Sequence, residues 1–201
     1  MKKSVIQAVA VTVALLISAS CLIYVCLAFC SPVTLAKAWD GLGSYSLSVK
    51  YYCAQYEKTD DINDLAAYAV KLDEKKDAKR TAAVISDMTE REDFNAYCEK
   101  QDAAGGYVFH ARDYFYGKYT VATFYEKGIG DALDVAERGV KDEYSDKSPF
   151  YILMAEAEEL TDSDATAIAA KIGAIMLTGG LSVKELANAN ADVAMAYDIS
   201  K

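Results

Sequence analysis

Hydrophobic residues are distributed unevenly along the chain. Residues 4–30 carry no charged side chain, and Lys2 and Lys3 precede this stretch. After residue 31, hydrophobic positions recur at intervals of three and four, which is the spacing of one face of an α-helix, and alternating segments are few. The pattern predicts one long apolar helix followed by a series of short amphipathic helices, and therefore an all-α fold.

The apolar stretch predicts a membrane anchor. At about 1.5 Å per residue, a helix over residues 4–30 exceeds the roughly 30 Å hydrocarbon core of a bilayer. A secretory signal peptide also begins with lysine and an apolar run, but this run is longer, and its best cleavage motif, Ser18–Ser20, lies in its middle. A cleaved signal, or a lipoprotein modified at Cys21, is the alternative to an uncleaved transmembrane helix.

Basic residues set the predicted orientation. Lys2, Lys3 and the terminal amine lie before the apolar segment, whereas Lys37 alone follows within the next dozen positions. By the positive-inside rule, residues 1–3 form a cytoplasmic tail, residues 4–30 cross the cell membrane once, and the domain that follows lies outside. The alternative is an inverted orientation, with that domain in the cytoplasm.

Proline and glycine residues delimit the segment after the anchor. Pro32 cannot continue the helix of the span, and Gly41 and Gly43 interrupt any helix that follows. We therefore predict a juxtamembrane linker over residues 31–43 and a helical-repeat-like domain over residues 44–201.

Two helices of this domain carry a recurring pattern of large and small residues. The large, large, small and large positions of the first helix are Leu65, Tyr68, Ala69 and Leu72, and Thr81 and Ile85 continue the pattern in the second. This spacing resembles the tetratricopeptide repeat, a helix–turn–helix unit of about 34 residues. Residues 107–129 give a degenerate second copy, whose turn falls at Gly117–Tyr119.

The resemblance implies an α-solenoid, an array of antiparallel helical hairpins in which each hairpin buries its face against the next. We expect a last helix that begins within Ser182–Asn188 and includes Val193 and Met195 among its apolar residues. Proteins that resemble these repeats usually bind peptides or partner subunits and catalyse nothing. The resemblance therefore implies a protein-interaction domain, a scaffold or accessory subunit, with one or more protein partners.

Charge and motifs narrow the function further. All 30 acidic residues follow the apolar segment, and the chain has a net charge of −9, which disfavours nucleic acid as a partner. Nucleotide-binding glycine motifs and a calcium-binding loop are absent from the sequence. His110 is the single histidine, and it falls on a core position of the repeat. We therefore predict no metal, no cofactor and no catalytic residue, although an enzyme of another type is an alternative.

A tyrosine-rich segment is the candidate binding site. Five tyrosines of this region are the candidate binding residues: Tyr107, Tyr114, Tyr116, Tyr119 and Tyr125. Tyrosine is favoured in binding grooves because it combines a flat apolar face with a polar tip. One interpretation is a groove of a surface receptor for a peptide or small ligand, and the other is a core between helices.

Two cysteines lie in the predicted extracytoplasmic domain. Cys53 and Cys98 form a disulfide or remain as two buried thiols, and the sequence does not distinguish these states.

Overall fold

The computed structural model describes residues 2–107, 110–140 and 148–178. Ten α-helices account for most of them: α1 (Lys2–Cys30), α2 (Pro32–Gly41), α3 (Tyr45–Thr59), α4 (Ile62–Glu74), α5 (Ala78–Glu90), α6 (Phe94–Ala104), α7 (Ala111–Lys127), α8 (Ile129–Gly139), α9 (Ser148–Glu156) and α10 (Asp162–Thr178). These described ranges contain no strand, which confirms the all-α prediction for them. The last helix, predicted to begin within Ser182–Asn188, lies outside the described residues.

The chain divides into two compact units, Met1–Lys71 and Leu72–Lys201. The first unit begins with α1, whose described side chains are exposed or half-buried along its whole length. The predicted end of this helix is confirmed, because α1 ends at Cys30 and Pro32 occupies the first turn of the next helix.

The linker predicted over residues 31–43 requires a correction. Most of it is the helix α2, because proline is well suited to the first turn of a helix even though it cannot continue one. Leu35 and Ala36 of α2 are buried. The glycines act at the other end, where α2 ends at Gly41 and Gly43 has a φ of 71°. The segment is thus a folded part of the first unit.

Helices α2 and α3 form an antiparallel hairpin. Near its open end, the Val33 N–H donates a hydrogen bond to Gln55 Oε1 at 3.4 Å, and near its tip, Ser48 Oγ donates to Asp40 Oδ1 at 3.4 Å. Val49 is buried. The tip is the short turn at residues 42–44.

The hairpin is also bonded to α1. The hydroxyls of Tyr24 and Tyr51 form a hydrogen bond, and their rings meet edge to face with centroids 6.3 Å apart. Lys58 Nζ donates to the carbonyl oxygens of Phe29 at 3.2 Å and Cys30 at 2.6 Å. These carbonyls lack partners within a helix that ends at Cys30, so the lysine caps the last turn of α1.

Helix α7 is the centre of the second unit, where it packs against α5, α6, α8 and α9. An apolar core lies beneath it, built from residues that include Val121, Leu133, Phe150, Leu153, Ile168 and Ile172. A second cluster joins α6 to α7, with Phe94 and Phe115 edge to face at 6.4 Å. Both phenylalanines are almost completely buried.

The turn that we predicted at Gly117–Tyr119 is wrong, because α7 runs through it without a break. Gly117 is buried at the place where α9 crosses α7. A Cβ at this position would lie 2.8 Å from Ile152 Cγ2 and 2.9 Å from its Cβ, closer than real Cβ atoms come to other heavy atoms. The glycine therefore permits a close helix crossing and does not mark a turn. The solenoid arrangement as a whole stays a prediction.

Candidate functional site

The five candidate tyrosines do not share one surface of the molecule. Tyr116 and Tyr119 are buried, Tyr107 and Tyr114 are half-buried, and Tyr125 is exposed. Because α7 is continuous, Tyr114 and Tyr125 lie on one side of it, and Tyr116 and Tyr119 lie on the opposite side. The structure therefore assigns most of these rings to packing between helices and leaves Tyr125 as the accessible one.

The half-buried tyrosines form a packed aromatic group. The rings of Tyr107 and Tyr114 stack with centroids 4.6 Å apart, and the hydroxyls of Tyr97 and Tyr107 are hydrogen-bonded at 3.0 Å. Burial raises the pKa of Tyr114 to about 12 despite the nearby Lys118, and it also raises the pKa values of Tyr97 and Tyr107. These phenols are therefore held in the neutral form, and their rings pack within the core.

A cavity of about 440 Å³ lies beside α7 in the second unit. Its walls come from the end of α4, the start of α5, one face of α7 and the segment after α9. The residues that line it are Asp73, Lys76, Ala78, Thr81, Lys118, Val121, Ala122, Tyr125, Glu156, Glu158 and Glu159. Its volume is within the usual range for small-molecule sites, roughly 300–1,000 Å³.

Lys118 is the most enclosed charged group of the cavity wall, with its side chain 16% exposed. Its Nζ lies 2.7 Å from Glu156 Oε2 and 3.0 Å from Asp73 Oδ2. Burial alone would lower the pKa of Lys118, but hydrogen bonds to these two carboxylates raise it above the ordinary value. The ammonium is thus fixed in its charged form, and the group of three carries a net negative charge.

Tyr125 and Glu158 form a further part of the cavity wall. The Glu158 N–H donates a hydrogen bond to Tyr125 Oη at 2.9 Å, which holds the ring in place while 43% of the residue stays exposed. Lys76 Nζ pairs with Glu158 Oε1 at 3.2 Å, but both side chains are largely exposed to water. This outer pair therefore contributes little to stability.

Two polar groups of the wall have no bond to any residue that the structure describes. In the described part of the chain, the Glu159 carboxylate has no hydrogen bond or ion pair, although it is exposed to solvent. Thr81 is 1% exposed, and its Oγ1 is buried without a hydrogen-bond partner. A buried hydroxyl in this state costs free energy and is unusual in native proteins. The cavity therefore offers the Glu159 carboxylate to a ligand, whereas the Thr81 hydroxyl is closed to solvent.

Three other predictions concern histidine, cysteine and metal. His110, expected in the core, is exposed as the N-cap of α7, with Nδ1 3.2 Å from Asp102 Oδ2. Cys53 and Cys98 are thiols in the structure, the first partly exposed and the second buried, so the disulfide is not formed in it. Within residues 2–107, 110–140 and 148–178, no cluster of three or more His, Cys, Asp or Glu side chains could hold a metal ion.

The charged part of this site was not predicted from the sequence. Lys118, Val121, Ala122 and Tyr125 are spaced as i, i+3, i+4 and i+7, which is one face of a continuous helix. That spacing was a usable signal, but the turn that we predicted at Gly117–Tyr119 concealed it. Asp73 and Glu156 come from distant parts of the sequence, and no local pattern pairs them with Lys118.

The arrangement is suited to binding a group that carries positive charge. Four carboxylates line the cavity, and both of its lysines are already paired with carboxylates. No protein-family model, no curated protein and no solved structure matches this chain.

Proposed function

We propose that this protein is a single-pass membrane protein whose helical domain, outside the cytoplasm, binds a partner through the acidic cavity. The partner contributes the ammonium or guanidinium group of a lysine or arginine side chain. The observation that carries the proposal is the cavity beside α7, with more carboxylates than cations. In this proposal the protein acts as a scaffold or accessory subunit and is not an enzyme.

Support for membrane anchoring comes from α1. Residues Val9–Cys30 form a helix that is long and apolar enough to cross a bilayer, and none of its apolar window is buried within the molecule. Leu15 is 66% exposed and Leu16 is 63% exposed. Apolar surface of this extent is unfavourable in water and favourable in lipid. Lys2 and Lys3 before the helix favour an amino terminus in the cytoplasm.

Support for a cationic ligand comes from the charges of the cavity. A cation that enters gains an ion pair with Glu159 without displacing an existing one. The exposed ring of Tyr125 offers its face to the same cation, a contact worth about 0.5–2 kcal/mol. An anionic ligand would meet four carboxylates and two lysines that are already neutralised.

Support for binding without catalysis comes from protonation. A lysine nucleophile or base requires a lowered pKa, but the pKa of Lys118 is raised. Burial also raises the pKa of Tyr114, which neighbours Lys118, so that its phenol stays neutral near pH 7. The shifted groups around this cavity are thus held in their ordinary charge states.

A second candidate is a surface receptor for a free amine, because Tyr125 and Glu159 would recognise the same ammonium group on a small molecule. The two candidates differ in the source of the cation. Binding to a basic peptide but not to a free diamine supports the protein partner, and the opposite result supports the receptor.

The test uses the full-length protein in lipid nanodiscs. We would titrate it with an acetylated, amidated tri-arginine peptide and with butane diamine, and measure heat by calorimetry. Glu159→Gln is expected to weaken peptide binding about tenfold, the loss of one charge-assisted hydrogen bond. Glu126→Gln is the matched control, because Glu126 is exposed on α7 and does not line the cavity.

Thr81→Val is a second control. Removal of the unpartnered hydroxyl is expected to leave the free energy of unfolding unchanged or slightly higher, and to leave peptide affinity unchanged, because this oxygen is closed to solvent. The proposal is refuted if neither probe binds, or if Glu126→Gln weakens binding as much as Glu159→Gln does. The second result would show general attraction to an acidic surface.

A further inference from the structure

The α2–α3 hairpin lies alongside the last part of α1 and does not extend beyond its end. Tyr51, in the middle of α3, contacts Tyr24, and Lys58, near the end of α3, contacts the carbonyls of Phe29 and Cys30. Positions later in α3 therefore match positions later in α1, so the two helices run in the same direction. The tip of the hairpin consequently points back toward the amino terminus of α1.

Helix geometry gives the level of this tip. Tyr45 precedes Tyr51 by six residues, so it lies up to about 9 Å further back along α1 than Tyr24, near the level of residue 18. If lipid covered α1 as far as Cys30, Tyr51 would lie about 9 Å below the surface of the hydrocarbon and Tyr45 about 18 Å below it.

Charged residues of the hairpin are incompatible with that depth. Lys37 and Lys50 are exposed on the hairpin, and Asp40 forms an ion pair with Lys71 at 2.6 Å. A charged side chain in the middle of a bilayer costs about 2.5–3.5 kcal/mol or more. The hydrocarbon must therefore end before the level of these residues.

The tip itself presents apolar and aromatic side chains. Leu42 is 74% exposed and Tyr45 is 51% exposed, which makes them the most exposed large hydrophobic residues among the described residues beyond α1. Tyrosine is enriched at the boundary between hydrocarbon and headgroups. The nearby Trp39 is half-buried and its Nε1 is buried, so its N–H does not face outward.

We propose that the hairpin tip rests on the outer membrane surface, with Leu42 and Tyr45 in the interface, and that the hydrocarbon covers α1 only from about residue 4 to about residue 20. This segment of roughly 17 residues is about 25 Å long, within the range that spans a bilayer. The occupant of the tip is the lipid surface, because the tip adjoins the span itself. The inference rests on the proposed anchoring, and it moves the outer boundary of the span inward from Cys30.

Trp39, the single tryptophan of the chain, reports the depth of the hairpin. The full-length protein would be reconstituted in phosphatidylcholine vesicles that contain lipid brominated either near the headgroup or near the acyl end. Bromine quenches tryptophan fluorescence at short range. We expect the shallow quencher to reduce Trp39 fluorescence roughly twice as strongly as the deep one.

Variants show whether the tip makes the contact. Leu42→Asp and Tyr45→Asp are expected to reduce the shallow quenching by about half. Thr34→Asp, also exposed but at the other end of the hairpin, is expected to leave it unchanged. Absence of quenching by either lipid, or stronger quenching by the deep one, would overturn the inference.

Flotation of the vesicles in a density gradient distinguishes the two proposals. If the protein does not float with the vesicles, anchoring fails, and the position of the tip fails with it. If it floats and Trp39 is not quenched, α1 is anchored and the hairpin stands away from the membrane, so that only this inference fails.

Discussion

Replacement of Gly117 by alanine tests the helix crossing at the centre of the second unit. The new Cβ would lie 2.8 Å from Ile152 Cγ2 and 2.9 Å from Ile152 Cβ. Ile152 is buried, and its Cβ moves only with the backbone of α9. The neighbour therefore cannot yield by a change of rotamer alone, and α7 and α9 must separate.

Two opposing effects determine the magnitude. Overpacking of a close-packed interior costs about 1–3 kcal/mol, and alanine in a helix is favoured over glycine by about 1 kcal/mol. Because the two helices themselves must separate, we expect an overpacking cost of about 2–3 kcal/mol, which leaves a net loss of about 1–2 kcal/mol in the free energy of unfolding. The sign of this change distinguishes the two effects, because helix propensity alone predicts an increase in the free energy of unfolding.

Gly130→Ala is the matched control. Gly130 lies in α8, and a Cβ there would meet no heavy atom within 4 Å. The same substitution should therefore raise the free energy of unfolding by about 0.4–1 kcal/mol. Urea unfolding of the full-length protein in detergent micelles, followed by far-ultraviolet circular dichroism, would measure both variants. Equal or greater stability of Gly117→Ala would refute the close crossing of α7 and α9.

The remaining predictions concern pH and the charged wall of the cavity. Burial raises the pKa of Tyr114 to about 12, and hydrogen bonds to carboxylates raise that of Lys118. The folded state then keeps protons that the unfolded chain loses near pH 10, so the free energy of unfolding should fall as pH rises above about 10. The urea midpoint of Tyr114→Phe should fall less over the same pH range than that of the unsubstituted protein. An equal fall for both proteins would contradict this prediction. Lys118→Met leaves Asp73 and Glu156 without their cation and should cost about 1–3 kcal/mol, less than for a fully buried pair. Adding Glu156→Gln should restore part of that loss, and no recovery in urea unfolding would contradict the ion-pair explanation.

Hydrophobic spacing predicted the helices well but placed some of their ends incorrectly. Pro32 prevents α1 from continuing and also begins α2. A proline in the sequence does not by itself show whether a new helix follows. Gly117 illustrates the same difficulty, because a glycine between two apolar stretches indicates a turn when only local propensity is considered. The packing of Ile152 against it is a tertiary contact that no local pattern contains.

The candidate site was predicted only in part. Tyr125 was named from the sequence, and it lines the cavity, whereas Tyr116 and Tyr119 are buried. Composition identifies the aromatic residues of a segment. The side of the helix on which each one lies follows only when the helix bounds are predicted correctly. The pairing of Lys118 with Asp73 and Glu156 joins three elements far apart in the sequence, so it follows only from the fold.

The capping of α1 by Lys58 has a mechanical consequence. The lysine binds the last carbonyls of α1, and the Tyr24–Tyr51 contact provides a second attachment point. Two attachment points along α1 prevent the hairpin from rotating about either contact. The hairpin therefore changes its tilt together with α1. A bilayer that is thicker or thinner than the apolar length changes the tilt of such a helix. In the proposed membrane topology, the α2–α3 hairpin would therefore convert bilayer thickness into a tilt of the hairpin relative to the membrane surface.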